Sequence, residues 1–281
     1  MLRQSLIKEE KNMKKLLFLL VSLLLIGCVC GCQKKEEPQP EPAPAPVDDV
    51  KITSYEEYTA LPTDGSAEVT VEAYVQAVQS YWNGAKLYLQ NKDGGYFVYC
   101  EGSGEDVNNI SEEDYAKLVE STDYSNGWTG LANGMKVQVT GTKSEWSGEV
   151  ELVNSSVKVI DDGDKWLSEA YDITGALPTD PADYMNQRVK ISDVTVVASN
   201  DDGAAFLYNW DGSGQPGNDL YFKVEKDGMT YTFVVESYLC YDGSEAYEAV
   251  EALEVGQVLD LEGFLYWYEG PQPHITKVTV K

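Results

Sequence analysis

Ala60-Leu61-Pro62-Thr63-Asp64 recurs letter for letter as Ala176-Leu177-Pro178-Thr179-Asp180, 116 residues further on. A second pair stands 122 residues apart: Gly134 to Gly141 and Gly256 to Gly263 each enclose an apolar/polar alternation between two glycines. Leu87-Tyr88 and Leu207-Tyr208 supply a third, at a spacing of 120. Landmarks that drift so little point to one domain-sized unit used twice, each copy closing a core of its own. The acidic, glycine-bearing joint Asp161-Asp162-Gly163-Asp164 divides the copies into 50–163 and 164–281.

Both copies read as β. In the first, Val69, Val71, Ala73, Val75 and Ala77 alternate with Thr70, Glu72, Tyr74 and Gln76, the period of a half-buried strand. Asn83-Gly84 marks a turn before a strand at 86–90, and Lys92-Asp93-Gly94-Gly95 leads to another at 96–100. Ser111, with acids at 112 to 114, caps a helix running towards Glu120, and strands follow at 135–142 and 149–160. The second copy repeats that order. Strands are expected at 188–198, at 205–209, and at 220–225 with 230–236. A helix at 244–253 and strands at 257–267 and 274–280 complete it.

Three strands, a helix and two strands is the order of the OB-fold, a five-stranded Greek-key barrel. The expected fold is therefore mainly β: two tandem five-stranded OB-like Greek-key barrels, each with one short helix. The chain resembles tandem OB-fold surface lipoproteins of Gram-positive bacteria over about 50–281. That resemblance implies a scaffold and a habit of binding rather than an activity.

The start of the chain gives an address. Met13-Lys14-Lys15 precedes an apolar run from Leu16 to Ile26, then Gly27-Cys28, the pattern of a secretory signal peptide. The run is too short for a transmembrane helix, which needs about 20 apolar residues. Leu25-Ile26-Gly27-Cys28 resembles a bacterial lipobox, which implies diacylglycerol, and palmitate, on the Cys28 thiol and cleavage before it. Residues 1–27 read as the signal peptide, with Met13 a second candidate start because Glu9 and Glu10 precede the lysines. Residues 28–49 read as the lipid anchor and a disordered Pro-rich stalk. Pro38, Pro40, Pro42, Pro44 and Pro46 favour extended polyproline II, at about 3.1 Å per residue. The expected location is extracytoplasmic, on the outer face of the cell membrane.

Charge narrows the partners. The chain carries 47 acidic against 21 basic residues, a net charge of −26. Such a surface repels phosphate backbones, so nucleic acid is disfavoured as a partner. Five cysteines divide into three at the anchor and the isolated Cys100 and Cys240, which form no disulfide framework and read as buried small hydrophobes.

On the OB frame, ligands lie across strands 2 and 3, between the loops joining strands 1–2 and 4–5. That places Trp82, Tyr88 and Trp146 on one face of copy one, Tyr88 pointing outward from strand 2. In copy two it places Tyr208 and Trp210 on strand 2, with Tyr266, Trp267 and Tyr268 at the later loop. Rings set among Asn, Asp and Ser suit the faces of sugars, and they also suit unpaired bases. Only Lys86, Lys92, Lys136 and Lys143 stand near the site of copy one. Trp166, in the connecting segment, reads as a packing cap.

No catalytic or metal motif stands out. His274 is the single histidine and reads as structural. No phosphate-cradling loop with a lysine occurs, and no cofactor is implied. The segment from Asp211 to Asp219 has the look of a calcium loop without the EF-hand spacing, and reads as an ordinary glycine loop. The expected function is a non-catalytic binding module for a saccharide or cell-envelope polymer. The alternatives are a protein-interaction subunit docking a surface partner and, with charge against it, a single-stranded nucleic-acid binder.

Overall fold

The computed structural model describes residues 50–81, 84–101, 131–160 and 162–281, with the backbone alone at 80, 81, 84, 100 and 101. The expected signal peptide, Cys28, the expected stalk, Trp82 and the expected helix at 111–120 lie outside the described residues, as does the Cys100 side chain.

Copy one opens on a short helix, α1 (Tyr55–Ala60), which has no counterpart among the expected elements. Ser54 and Glu57 form a reciprocal capping box at its start. Five strands follow: β1 (Asp64–Tyr81), β2 (Gly84–Gln90), β3 (Gly95–Glu101), β4 (Lys136–Trp146) and β5 (Glu149–Val159). They close in the order β1-β2-β3-β5-β4 and back to β1, with β3 and β5 parallel, which is the OB barrel.

The expected alternation holds from Val69 to Val75, whose side chains fill the barrel. A β-bulge between Val75 and Ala77 then moves the odd positions to the other face. Val78 joins the barrel core while Ala77 looks outward. Lys143, expected as a cation near the site, is instead buried under the barrel. Its ammonium donates to the carbonyls of Tyr58 and Leu61 at 2.7 and 2.8 Å, capping the C-terminal end of α1. Lys136 pairs with Asp162 at 2.9 Å, and Trp166 packs edge-on against Tyr74.

Copy two holds β6 (Tyr171–Asp172), β7 (Arg188–Val197), β8 (Phe206–Tyr208), β9 (Leu220–Lys226), β10 (Met229–Val235), α2 (Glu245–Glu251), β11 (Val258–Phe264) and β12 (His274–Val280). The ring β7-β9-β10-β12-β11 closes on β7, with β10 and β12 parallel; β6 and β8 are edge additions. Strand 2 is therefore β9, not the segment at 205–209. Asp227 and Gly228, both at positive φ, form a two-residue turn that makes Leu220–Lys226 and Met229–Val235 separate strands. Leu207-Tyr208 consequently has no equivalence to Leu87-Tyr88. It belongs to the long connection between strands 1 and 2.

Residues 49–281 form one compact unit, because the two barrels share a third buried cluster. Ala77, Tyr88 and Phe97, facing outward from barrel one, meet Phe264 and Tyr266 of barrel two. Glutamines complete the seam. Gln79 donates to Glu236 at 2.7 Å, Gln90 donates to Ser168 and accepts from the Arg188 N–H, and Gln76 accepts from the Ser168 N–H. Gly95 is required by the same contact, since a Cβ there would stand 2.5 Å from the Asn186 backbone.

Candidate ligand-binding site

The outer face of strands 2 and 3 serves opposite ends in the two barrels. In barrel one it is consumed by the seam. Tyr88 does point out of its barrel, but it is fully buried, stacked on Phe264 at 4.3 Å and hydrogen-bonded through its hydroxyl to His274 Nδ1 at 2.5 Å. It is out of a ligand's reach. In barrel two the equivalent face lies open, and a cleft of about 550 Å³ runs over it, within the range of small-ligand sites.

β9 supplies Tyr221 and Lys223 to this cleft, and β10 supplies Thr232. Leu207 and Trp210 come from the connection between strands 1 and 2, and Tyr266, Tyr268 and Gln272 from the loop between strands 4 and 5. Barrel one adds a wall of its own: Lys86 from β2 and Trp146 from the end of β4. The strand 4–5 loops of the two barrels are clasped to hold that wall. Glu269 N–H donates to the Ser147 carbonyl at 2.8 Å, and the Trp267 ring lies over Gly148, where a Cβ would be 2.6 Å away.

Of the aromatic residues singled out from sequence, Trp146, Trp210 and Tyr268 therefore meet in one cleft. They are 54%, 75% and 41% exposed, and the Trp146 and Tyr268 rings lie 5.3 Å apart. Tyr88, Tyr208 and Trp267 do not line it. Tyr208 packs against the core of barrel two and donates to Glu251 at 2.6 Å, a bond that pushes its phenol up to about 12. Trp267 is held in the clasp. Tyr266, expected at the later loop, lines the cleft as well, whereas Tyr221 and Lys223 escape a sequence reading that sets strand 2 of copy two at 205–209; the Asp227-Gly228 turn is the signal that finds the correct strand.

The floor of the cleft is polar and tightly held. His274 is buried, its ring stacked on Tyr266 at 4.2 Å, and burial followed by the nearby Lys86 charge lowers its pKa to about 3. The Glu236 carboxylate faces Nε2 at 3.5 Å and favours the proton of the neutral imidazole there, which leaves Nδ1 to accept from the Tyr88 hydroxyl. Burial also raises the Cys240 thiol to about 12. In the segment from Asp211 to Asp219, Asp211 and Asn218 turn side-chain oxygens onto backbone N–H groups of their own loop, and the Tyr247 hydroxyl closes it. Among the described residues no cluster of three His, Cys, Asp or Glu could hold a metal ion.

Glu149 stands behind the clasp, fully buried. One carboxyl oxygen accepts from the Trp267 N–H at 2.8 Å and the other has no partner. Burial holds this carboxyl well above the usual range, so the folded protein keeps a proton that the unfolded chain releases above about pH 4.5. Stability must then fall as pH rises through that window. Glu149→Gln, which mimics the protonated acid, is expected to match the wild type near pH 4.5. Above that pH it should pull ahead by up to about 1.4 kcal/mol per pH unit. Melting temperatures of both proteins from pH 5 to 8 would show it, and parallel curves would refute it.

No family model and no curated protein matches the chain. Among solved structures, it is similar to a murine DNA binding protein bound with double-stranded DNA, at 10% identity over 75% of this chain and 96% of that one, with a TM-score of 0.33. A Replication Protein A heterotrimer bound to single-stranded DNA aligns at 10% identity over 79% of this chain and 51% of that one, TM-score 0.28. An aspartyl tRNA synthetase from Entamoeba histolytica aligns at 20% identity over 51% of this chain, TM-score 0.31; this chain spans only 27% of that synthetase.

Proposed function

We propose that this chain is a non-catalytic, lipid-anchored binding module outside the cell membrane that takes a saccharide or cell-envelope polymer in the cleft over barrel two. The observation that carries this reading is the convergence of Trp146, Trp210 and Tyr268 on one open cleft from three separate segments of two barrels. A tryptophan side chain buries about 150–250 Å² when enclosed, worth roughly 4–6 kcal/mol at 25 cal/mol per Å². The fold leaves most of that unused at Trp146 and Trp210, although it encloses Tyr88, Tyr96 and Tyr247 completely.

Flat rings stack on the C–H faces of pyranoses, while Gln272 and Thr232 supply donors and acceptors for hydroxyls beside them. Unpaired bases also stack, but a strand of phosphates would approach a chain of net charge −26. The absence of catalysis is supported by the state of the single histidine, which is buried, neutral and committed to Tyr88. The lipobox residues and the Pro-rich stalk support the anchored location.

Trp146→Ala and Trp210→Ala are each expected to weaken glycan binding about tenfold or more, since one stacking ring is worth about 1–3 kcal/mol. The melting temperature should barely move. A tryptophan-fluorescence titration against envelope polysaccharides is the measurement. Unchanged affinity in both variants would remove the cleft from consideration and leave a docking surface for a protein partner as the better reading.

A further inference from the structure

We infer that the saccharide taken by this cleft is anionic, bearing a carboxylate or phosphodiester that Lys86 and Lys223 bind together from opposite barrels. This rests on the reading of the cleft as the glycan site. The argument begins with a reversal of charge. Acids outnumber bases 47 to 21 in the chain, yet the cleft is lined by two lysines and a single glutamate.

That glutamate is already engaged. One Glu236 oxygen accepts from Gln79 at 2.7 Å and the other faces His274 Nε2 at 3.5 Å, so its charge is directed into the seam. The lysines are in a different position. Five of the twelve described lysines, Lys51, Lys136, Lys190, Lys277 and Lys281, have a carboxylate within 4 Å. Lys86 and Lys223 are not among the five, and these two line the cleft; the Lys86 ammonium lies 5.9 Å from the Tyr99 ring centroid.

A lysine on a strand often does no more than lay its methylenes along an apolar neighbour. Two facts exceed that role. Lys86 and Lys223 stand on β2 and β9, strands of different barrels, and reach the same cleft. The Trp146–Tyr268 ring pair belongs to that cleft too, so a ligand laid over those rings lies in the same cleft that both lysines line. A charge-assisted hydrogen bond is worth about 1.5–3 kcal/mol, or roughly 10- to 150-fold in affinity. Two cations suit a short oligosaccharide with an anionic group on each ring. A longer run of phosphates would outnumber them, which sets this ligand apart from an oligonucleotide.

The test is calorimetric titration of the full chain with trigalacturonate, with its neutral methyl ester, with a sugar-phosphodiester trimer and with an oligothymidylate of eight nucleotides. Tenfold or greater preference for trigalacturonate over its ester identifies a carboxylate ligand; preference for the phosphodiester trimer identifies the other source. In either case Lys223→Gln should lose about tenfold or more, and Lys223→Arg should keep most of the affinity. Matching melting temperatures would exclude misfolding as the cause. Equal binding of acid and ester, or indifference to Lys223→Gln, overturns the inference while leaving the cleft as a glycan site. Binding of the oligothymidylate alone, or of nothing, overturns both.

Discussion

Tyr88→Ala is expected to lower the unfolding free energy by about 3–5 kcal/mol, the range for deleting a large enclosed aromatic side chain. For a folded unit of this size that corresponds to a fall in melting temperature on the order of 10 °C. The reason lies in where the ring sits. It belongs to neither barrel interior, yet it is fully buried between them, stacked on Phe264, tilted against Phe97 at 5.1 Å and bonded to His274. Its loss opens a cavity in the seam and leaves His274 Nδ1 buried without a donor. Tyr88→Phe separates the two terms: it keeps the stack and removes only the hydroxyl, at about 1–3 kcal/mol.

The seam also sets the cleft. Lys86 is two residues from Tyr88 on β2, and Trp146 is held against barrel two by its contact with Tyr268 and by the clasp at Ser147 and Glu269. Tyr88→Ala should therefore weaken ligand binding as well, even though Tyr88 lines no part of the cleft. Denaturant unfolding followed by tryptophan fluorescence is the measurement. A variant as stable as the wild type would mean that the barrels are independent beads.

How much of this is legible in the sequence follows from what each pattern encodes. A period of two marks a strand and separates its faces, so Val69 to Val75 and the strand at 274–280 can be read directly. A capping serine marks a helix start, and Ser244 does so for α2. Alternation does not say what covers the second face. The outward position of Tyr88 is readable; that a second barrel, not water, lies over it is not. The same holds for Gln76, Gln79 and Gln90, which look like solvent positions and are the polar half of the seam. The bulge at Val75/Ala77 leaves no mark on composition, yet it decides which residues reach the seam.

The shifted strand has a different origin. Leu207-Tyr208 matches Leu87-Tyr88 in spelling and spacing, but two-residue identity is a weak signal beside the Asp227-Gly228 turn, whose backbone requirement is far more specific. With strand 2 at 220–226, the alternation of Tyr221 and Lys223 against Leu220, Phe222 and Val224 puts one aromatic and one cation on the ligand face by periodicity alone.

Acid is expected to loosen the seam through His274, and the direction follows from its neutral state. The folded protein holds the imidazole neutral down to about pH 3, whereas the unfolded chain protonates it near 6.5. Between those values the unfolded state carries the extra proton, so stability contributed by this residue is present above pH 6.5 and is lost as pH falls. By pH 4 the loss reaches up to about 3 kcal/mol, at about 1.4 kcal/mol per unit. The groups around the ring set that limit. Desolvation between Tyr88 and Tyr266 and the Lys86 charge disfavour the cation, while Asp219 and the Glu236 carboxylate at 3.5 Å favour it. His274→Gln keeps an acceptor and a donor but cannot titrate. It should be less stable than the wild type at pH 7.5, and the gap should close or reverse by pH 4. Because the chain has one histidine, a single imidazole Hε1 resonance reports the same event directly and should stay flat from pH 8 to about 4. A resonance that titrates near 6.5 would show the ring exposed to water, and the seam with it. If it stays flat, the proton is taken up only on unfolding, so stability should fall between pH 6.5 and 4 while His274 leaves the ligand affinity of the folded protein unchanged over the same range.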